Sequence, residues 1–196
     1  MALPPTKRPA LVSAHDLELV GFAAAGDRAA FGELVRRHGS SVRGLLRRMG
    51  ADGAAADDVA QDAFLAAFEQ IAEFRGQGAF RGWVGRIAAR LYVKRWRRQA
   101  RADLLAETGE LDIDPPAAAP SADAKIDLDE AMKTLSEAER MCVSLCYGAG
   151  LSHAEAASAL NAPLGTVKSH VKRGLDKLRS RLSPDDDGGE RSQVGA

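Results

Sequence analysis

Apolar residues recur at three- and four-residue spacing along most of the chain, with polar residues between them. The clearest case is the stretch 162–182, APLGTVKSHVKRGLDKLRSRL. Its apolar stripe consists of Val167, Val171, Leu175, Leu178 and Leu182. This spacing places the stripe on one face of an α-helix. Because Pro suits the first helical turn, where its missing N–H costs nothing, the pattern predicts a helix that begins near Pro163.

Similar patterns predict four helices between residues 14 and 100. The first is expected over Asp16 to Ala25, stopped by Gly26, and Asp27 is expected to cap the second. The third, AADDVAQDAFLAAFEQIAEF, follows a Gly-rich break, and the fourth follows the loop RGQG. The predicted core stripe of the fourth helix consists of Phe80, Trp83, Val84, Ile87 and Leu91. Since no long run alternates with a period of two, the chain is predicted to be all-α.

Two capping motifs predict further helices near the carboxyl end. SEAE at 136–139 and SHAE at 152–155 each place Ser at a helix cap and Glu three residues later. The second of these helices is expected to stop at Asn161, a few residues before the basic helix. Two helices joined by so short a turn indicate a helix-turn-helix, although a generic corner between helices is the alternative.

These elements divide into two small helical domains, over residues 14–100 and 125–182. Residues 101–124 between them combine Pro, Ala and acids without an aromatic residue, which is typical of a flexible linker. Residues 1–13 and 183–196 lack periodicity and are expected to be disordered. The predicted architecture is therefore two small helical domains joined by a flexible acidic linker, with a helix-turn-helix in the second.

Charge is segregated along the chain, although the formal net charge is +0. Between Arg75 and Arg101 there are nine Arg and Lys residues and no acid, whereas the stretch from Ala102 to Asp123 has six acids and no base. A basic stretch of this kind suits an anionic partner such as nucleic acid, even when the whole chain is balanced.

The chain shows no metal or cofactor motif. Cys142 and Cys146 lie four apart on one predicted helix and are interpreted as small buried apolar residues in a reducing compartment. The four His residues do not have the spacing of a metal-ligand set. No apolar run approaches about twenty residues, so we expect a soluble cytoplasmic protein without membrane insertion.

One face of the third predicted helix is acidic with a single apolar residue. Its members are Asp58, Gln61, Asp62, Leu65 and Glu69. An exposed apolar residue with a polar rim is typical of a protein contact surface, although an ordinary solvated face is the alternative.

The fourth predicted helix carries a basic face. Arg86, Arg90 and Arg97 line one side, and Tyr92 and Trp96 lie outside the core stripe. Cations with aromatic rings suit single-stranded DNA, although the two aromatic residues are equally able to seal the core. The preceding turn, residues 74–80, is basic and suits a flipped base, with a plain connecting loop as the alternative.

The outer face of the last helix is polar and basic, which is typical of a DNA-recognition helix. The residues on it that we predict to contact DNA are Thr166, Lys168, Ser169, Lys172 and Arg173. The lysines and Arg173 are suited to phosphates, and the hydroxyl groups to base edges, with a base-edge contact as the alternative for Arg173.

Three segments together resemble an extracytoplasmic-function bacterial sigma factor. They are ADDVAQDAFLAAF, then FRGQGAFRGWVGRIAARL ending in RRQ, then LSEAERMCVSLCYGAGLSHAEAASALNAPLGTVKSHVKRGLDKLR. The resemblance implies a promoter-specificity subunit without catalytic activity. It also implies that the acidic face of the third helix binds core RNA polymerase, that the acidic linker enters the polymerase cleft, and that an anti-sigma factor holds the protein silent.

The same resemblance assigns two promoter contacts. It implies that the last helix binds the minus-thirty-five element, and that the loop and fourth helix melt and bind the minus-ten element. The residues expected at the minus-ten element are Phe74, Arg75, Arg86, Arg90, Lys94 and Arg97. Arg90 and Lys94 stand where relatives commonly have Asn and Asp, a departure that bears on the preferred minus-ten sequence.

Two other functions compete with this interpretation. A stand-alone helix-turn-helix transcriptional regulator would need an effector or phosphoacceptor domain upstream, where this chain has a helical pattern instead. A small helical enzyme would need a phosphate-cradling Gly motif or a nucleophile with its base, and the sequence shows neither.

Overall fold

The computed structural model describes residues 11–76, 78–106 and 128–182, and every regular element in those ranges is helical. The α-helices are α1 (Asp16–Ala24), α2 (Arg28–Met49), α3 (Gly53–Glu69), α4 (Phe80–Ala106), α5 (Leu128–Lys133), α6 (Glu137–Val143), α7 (His153–Leu160) and α8 (Leu164–Leu182). The all-α class is confirmed. Most of the predicted linker, most of the amino-terminal arm and the whole carboxyl-terminal tail lie outside the described residues, so the predicted domain limits stay predictions.

Local capping groups set the ends of the first helices. The Asp27 carboxylate accepts from the backbone N–H groups of Ala29 and Ala30, as the sequence predicted. The helix that Asp27 begins ends at Gly50, whose φ of 110° belongs to the left-handed region that favours glycine. Asp52 then caps α3. Because these signals are local, the sequence located the first three helices to within a few residues.

An ionic cluster around one buried carboxylate fastens α1 to α2. Glu33 is buried and accepts hydrogen bonds from Arg36 and Arg37, which lower the pKa of its carboxyl to about 2. Arg37 also donates to Asp16 at the start of α1 at 3.0 Å. The Asp16 carboxylate contacts His38 Nε2 at 2.8 Å as well. These contacts hold the second helix to the start of the first helix.

The fourth helix is longer than predicted and is preceded by a short 3₁₀ turn at Ile71–Glu73. It continues to Ala106, past the predicted domain limit at residue 100. The segment RADLLA at its end consists mostly of strong helix formers, which explains the extension. The sequence predicts that the irregular linker begins at residue 101. The helix nevertheless continues, because a single Asp does not interrupt a helix that is already formed.

The carboxyl-terminal helices form the predicted helix-turn-helix. Ser136 and Ser152 each cap a helix in a complete capping box. The left-handed conformation of Asn161, with φ 53°, ends α7, and α8 begins directly after Pro163. In α8 the side chains of Val167, Val171 and Leu178 are buried, as the stripe predicted, whereas Leu175 is half-buried and Leu182 is exposed. A π-helical turn at Ser144–Gly148, which the sequence did not predict, separates α6 from the loop before α7.

The two helical groups pack against each other and share buried apolar residues. Leu45 and Val84 from the first group and Met141 and Leu145 from the second belong to one cluster of buried side chains. Gly148 allows a close approach, because a Cβ at this position would lie 2.6 Å from Leu45 Cδ1. The structure thus brings the helix-turn-helix against α2 and α4.

Candidate functional site

In the first half of α8, the outer face does not pack against the core. All five predicted DNA contacts on this helix are exposed: Thr166, Lys168, Ser169, Lys172 and Arg173. The Arg173 guanidinium lies 3.1 Å from Nδ1 of His170, one turn earlier. Burial and the neighbouring Arg173 charge lower the pKa of His170, so the positive charge of this face comes from Lys and Arg.

A buried carboxylate lies beneath this face, and the sequence did not reveal that role. Glu139, 4% exposed, accepts from Lys177 Nζ at 2.7 Å and lies 3.9 Å from Arg173 Nε. Burial alone would raise the pKa of Glu139, but the hydrogen bonds from Lys177 and from the Ser136 N–H outweigh it and lower the pKa. The capping motif identified Glu139 as a helix-cap residue, but its contacts with α8 depend on tertiary packing. The carboxylate anchors the inner edge of the basic face.

The basic face of α4 is only partly open. Arg86, Arg90 and Lys94 are exposed, whereas Arg97 is half-buried. Arg90, Lys94 and Arg97 line a groove of about 300 Å³, together with Arg98, Arg101 and Ala159 of α7. Arg75 is exposed in the loop before α4. The predicted cations of α4 therefore lie beside the helix-turn-helix.

The aromatic residues near this face are not exposed. The hypothesis that Tyr92 and Trp96 offer open stacking faces is wrong for this conformation, and they seal the core instead. Tyr92 is 8% exposed, and burial raises its pKa. Trp96 is half-buried and donates from Nε1 to Glu137 at 2.6 Å. Phe74 is also buried, with its ring centroid 5.4 Å from that of Trp83, so in this arrangement the ring is not available to a DNA base.

The predicted protein-contact face lies on the outer side of α3. Its five members, Asp58, Gln61, Asp62, Leu65 and Glu69, are all exposed, and Leu65 is 57% exposed. Asp58 lies 3.6 Å from Arg95 Nη1 of α4, an exposed pair that contributes little to stability.

An apolar groove of about 780 Å³ runs beside this face, between α2 and α3. Its floor and walls come from Phe31, Val35, Phe64, Leu65 and Phe68, with Arg28, Arg43 and Arg47 among the charged residues that line it. Gln61 and Leu65 of the acidic face line the same groove as the rings of Phe64 and Phe68. Helical periodicity did not predict the groove, because its two walls come from segments about thirty residues apart in the chain.

Neither a metal centre nor a reactive thiol emerges from the described residues. They contain no group of His, Cys, Asp and Glu arranged to hold a metal ion. Cys142 is buried, as predicted, and Cys146 is half-buried. Burial raises the pKa of Cys142 to about 11 and that of Cys146 in the same direction, which disfavours the nucleophilic thiolate. No helix within the described ranges combines the length and the apolar character needed to cross a membrane.

Comparison with known proteins accounts for both helical groups. Residues 34–102 match Sigma-70 region 2, and residues 131–180 match Sigma-70, region 4. The chain is 32% identical over 187 residues to the RNA polymerase sigma-H factor of Pseudomonas aeruginosa, covering 89% of this chain and 97% of that protein. It is 31% identical over 182 residues to the ECF RNA polymerase sigma-E factor of Haemophilus influenzae, covering 86% of this chain and 96% of that protein.

The chain belongs to the extracytoplasmic-function (ECF) sigma factors. Region 2 of this sigma factor includes α3 and α4, and region 4 includes α6, α7 and α8. A crystal structure of the sigma factor RpoE from Bartonella quintana, in complex with the anti-sigma factor NepR, has the same fold, with a TM-score of 0.51 and 20% identity over 78% of this chain and 96% of that one. Sigma factors are DNA-binding regulators rather than catalysts. The region 2 match also argues against a stand-alone helix-turn-helix regulator.

Proposed function

We propose that this sigma factor binds core RNA polymerase and directs it to promoters, where it recognises two DNA elements and supports opening of the duplex. The observation that carries the proposal is the presence of regions 2 and 4 in one chain, in that order, each with an exposed charged face. Its place of action is the cytoplasm, where polymerase and chromosome are.

Core polymerase binds the acidic face of α3. The exposed carboxylates attract a basic partner surface, and Leu65 supplies the apolar contact at the centre of the patch. The groove beside Leu65 extends the apolar area available to such a partner. A helix with apolar residues on one side fits a groove of this shape.

Region 4 binds the minus-thirty-five element through α8. Lys168, Lys172 and Arg173 contact phosphates and set the register, while Thr166 and Ser169 contact base edges. All five side chains are exposed on one side of the helix-turn-helix, where a duplex major groove can approach.

Region 2 binds the minus-ten element through α4 and the loop before it. Free duplex is held closed by stacking and pairing, so opening needs compensating interactions with the separated strand. Arg86, Arg90, Lys94 and Arg97, with Arg75 in the loop, supply cations along one side of the helix. Phe74 acts on a base only if its ring leaves the core, so its role depends on movement of the loop.

An anti-sigma factor regulates this activity by covering the polymerase-binding face. The support is the RpoE relative, which is bound to an anti-sigma factor, and the apolar groove beside Leu65, which offers such an inhibitor a second attachment point. A pull-down from the native host that returned only polymerase subunits would contradict this part of the proposal.

In vitro transcription with purified core polymerase and a pool of genomic promoters tests the main proposal. The sigma factor should allow initiation at defined sites, and Asp62→Arg should weaken polymerase binding because it places a cation on the acidic face. We expect about a tenfold or greater loss of affinity with an unchanged circular dichroism spectrum. Co-elution of the variant with core polymerase at the wild-type level would contradict the assignment of this face.

The matched control for that variant is Glu130→Arg. Glu130 is exposed on α5 and pairs with Lys133, so the charge change is the same but lies away from α3. The control should bind core polymerase like the wild type. If neither the wild type nor the control supports initiation at any site, the proposed function is wrong.

A salt titration tests the proposed phosphate contact at Arg173. Arg173→Ala should weaken promoter binding and reduce the slope of log affinity against log salt by up to about one unit, because one phosphate contact is lost. Arg179→Ala is the control, since Arg179 is exposed on the same helix and pairs with Asp176 outside the predicted contact set. Equal slopes for Arg173→Ala and the wild type in footprinting across the titration would refute the contact.

A further inference from the structure

The surface formed by α2 and α3 holds charges of both signs that are not used within the chain. Asp62 and Glu69 of α3 are exposed beside Leu65, and Arg28 and Arg47 of α2 are exposed where they line the apolar groove. Within the residues that the structure describes, none of these four charged side chains has an ion-pair partner. One surface therefore offers two cations and two anions to a second molecule.

The two arginines lie at opposite ends of this groove, because α2 and α3 run antiparallel. The rings of Phe31 and Phe68 are 4.9 Å apart, so the start of α2, which carries Arg28, lies beside the carboxyl-terminal end of α3. Arg47 is near the end of α2, and only residues 50–52 separate that helix from α3. Arg47 therefore lies beside the amino-terminal end of α3.

The shape of this surface is complementary to itself. A surface that binds a second copy of the same chain must match itself after rotation about a two-fold axis. Leu65 projects from α3 with 57% of its surface exposed, and the groove of about 780 Å³ beside it is floored by apolar side chains. A two-fold axis perpendicular to α3 places the Leu65 of each copy in the groove of the other.

The same rotation also pairs the free charges. It reverses the direction of α3, so Asp62, which precedes Leu65, reaches the carboxyl-terminal end of the other α3, where Arg28 lies. Glu69, which follows Leu65, reaches the amino-terminal end, where Arg47 lies. Each of these charges thereby meets one of the opposite sign. The formal net charge of +0 adds no overall repulsion between copies.

We propose that the outer face of α3 and the groove between α2 and α3 form the interface of a two-fold symmetric homodimer. The dimer itself follows from the shape and charge of this surface. Its consequence for transcription rests on the proposed function, because the dimer covers the face assigned to core polymerase. Only the monomer then binds polymerase, so self-association withholds sigma factor from polymerase as the concentration of the chain rises.

The dimer belongs to the weak, reversible class of interfaces. One groove and a few exposed ion pairs form a small contact, and small contacts are typical of transient complexes. Exposed pairs contribute more to orientation than to affinity, so the insertion of Leu65 supplies most of the attraction. We expect half of the chain to be dimeric at a concentration of about 10 to 100 μM.

Two charge reversals test the pairing of α3 with the second copy. Arg28→Asp places a carboxylate opposite Asp62 of the other copy, and Asp62→Arg places a cation opposite its Arg28. Each variant alone should lose about tenfold or more in self-association affinity. An equimolar mixture of the two variants should dimerise like the wild type, because both contacts in a mixed pair then join opposite charges.

Two matched controls change the same charges elsewhere. Arg179→Asp lies on α8 and Glu130→Arg lies on α5, and both positions are exposed and away from the groove. Both controls should dimerise with the wild-type affinity.

Sedimentation equilibrium of the full chain, from about 1 to 200 μM, measures the self-association affinity. Circular dichroism reports whether each variant retains its helices. A wild-type chain that stays monomeric over this range would overturn the inference and leave the surface to a partner of another kind. Folded single variants that dimerise like the wild type would overturn it as well, and so would a mixture that remains monomeric. If either variant does not fold, the equivalent pair at the other end of the groove, Arg47→Asp and Glu69→Arg, decides.

In vitro transcription with core polymerase on the same wild-type preparation separates this inference from the proposed function. Initiation by a chain that is monomeric at every concentration refutes only the dimer. A dimer that the mixed variants support, without initiation at any promoter, refutes only the proposed function. When both hold, added core polymerase should convert the dimer into a complex with one sigma factor per polymerase. A complex with two sigma factor chains per polymerase would overturn the competition between self-association and polymerase binding.

Discussion

Glu139 both completes the cap of α6 and contacts the basic side chains of α8. Its carboxylate accepts the Ser136 N–H at 3.1 Å to complete a capping box and also holds Lys177 of α8. The side chain is 6% exposed, so its interactions are less screened than those of the surface pairs. One buried acid thereby sets both the start of α6 and the position of α8.

Acid titration of stability should reveal this residue. The pKa of Glu139 in the folded chain lies below its ordinary value of 4.5, so the ionised carboxylate stabilises the folded state above that pH. The contribution is lost as the pH falls through the lowered folded pKa. Glu139→Gln should lower the free energy of unfolding by about 1 to 3 kcal/mol at pH 7, and the deficit should shrink below pH 4.5.

Urea denaturation at a series of pH values measures this effect. Glu130→Gln serves as the control, because Glu130 is exposed and its substitution should change the free energy of unfolding little. A deficit for Glu139→Gln that is constant across the acid range would show that the charge of Glu139 is not what stabilises the fold.

At the scale of the element, local signals determine where the helices of the helix-turn-helix begin and end. The Ser152 hydroxyl accepts the N–H of Glu155, and the Glu155 carboxylate accepts that of Ser152. The left-handed Asn161 then ends α7 before Pro163. The turn that orients the recognition helix therefore depends on a few residues with defined backbone roles.

Substitutions in this motif should distinguish the contribution of the side-chain cap to stability from that of the backbone conformation at Asn161. Ser152→Ala should destabilise region 4 by about 1 kcal/mol, because it removes the side-chain acceptor of the first turn. Asn161→Gly should be nearly neutral, since glycine adopts positive φ without strain, whereas Asn161→Val should destabilise. Urea unfolding followed by circular dichroism measures the three effects. Ser158→Ala, at an exposed position on α7, is the control, and a loss there equal to that of Ser152→Ala would argue against the cap.

At the scale of the whole molecule, the shared core makes regions 2 and 4 one structural unit. Leu45 is 4% exposed and lies against the π-helical turn of region 4, and Leu145 is fully buried in the same cluster. Domains that share buried apolar surface stabilise each other until the contact is broken. Stability of region 2 should therefore depend on region 4.

Unfolding of the wild-type chain should show this coupling. Both tryptophans, Trp83 and Trp96, lie on α4 in region 2, whereas circular dichroism reports the helices of both regions. The fluorescence and dichroism transitions should coincide in urea, since two regions that share a core unfold together. Leu45→Ala should lower the free energy of unfolding by about 2 to 5 kcal/mol through the cavity it leaves. A dichroism change well separated from the fluorescence change in the wild type would indicate independent domains.

The sequence by itself determined the helices, their caps and the positions of the charged faces. The exposed residues of α3 and α8 followed from helical periodicity and local capping groups, which act within a few residues of the chain. The family resemblance also followed from segments that can be compared without coordinates. Only tertiary structure decided that Phe74 and Tyr92 are buried and Trp96 is half-buried, that α2 and α3 enclose an apolar groove, and that α7 covers part of the α4 face. These features depend on contacts between residues far apart in sequence, and periodicity contains no information about which helix a given face will meet.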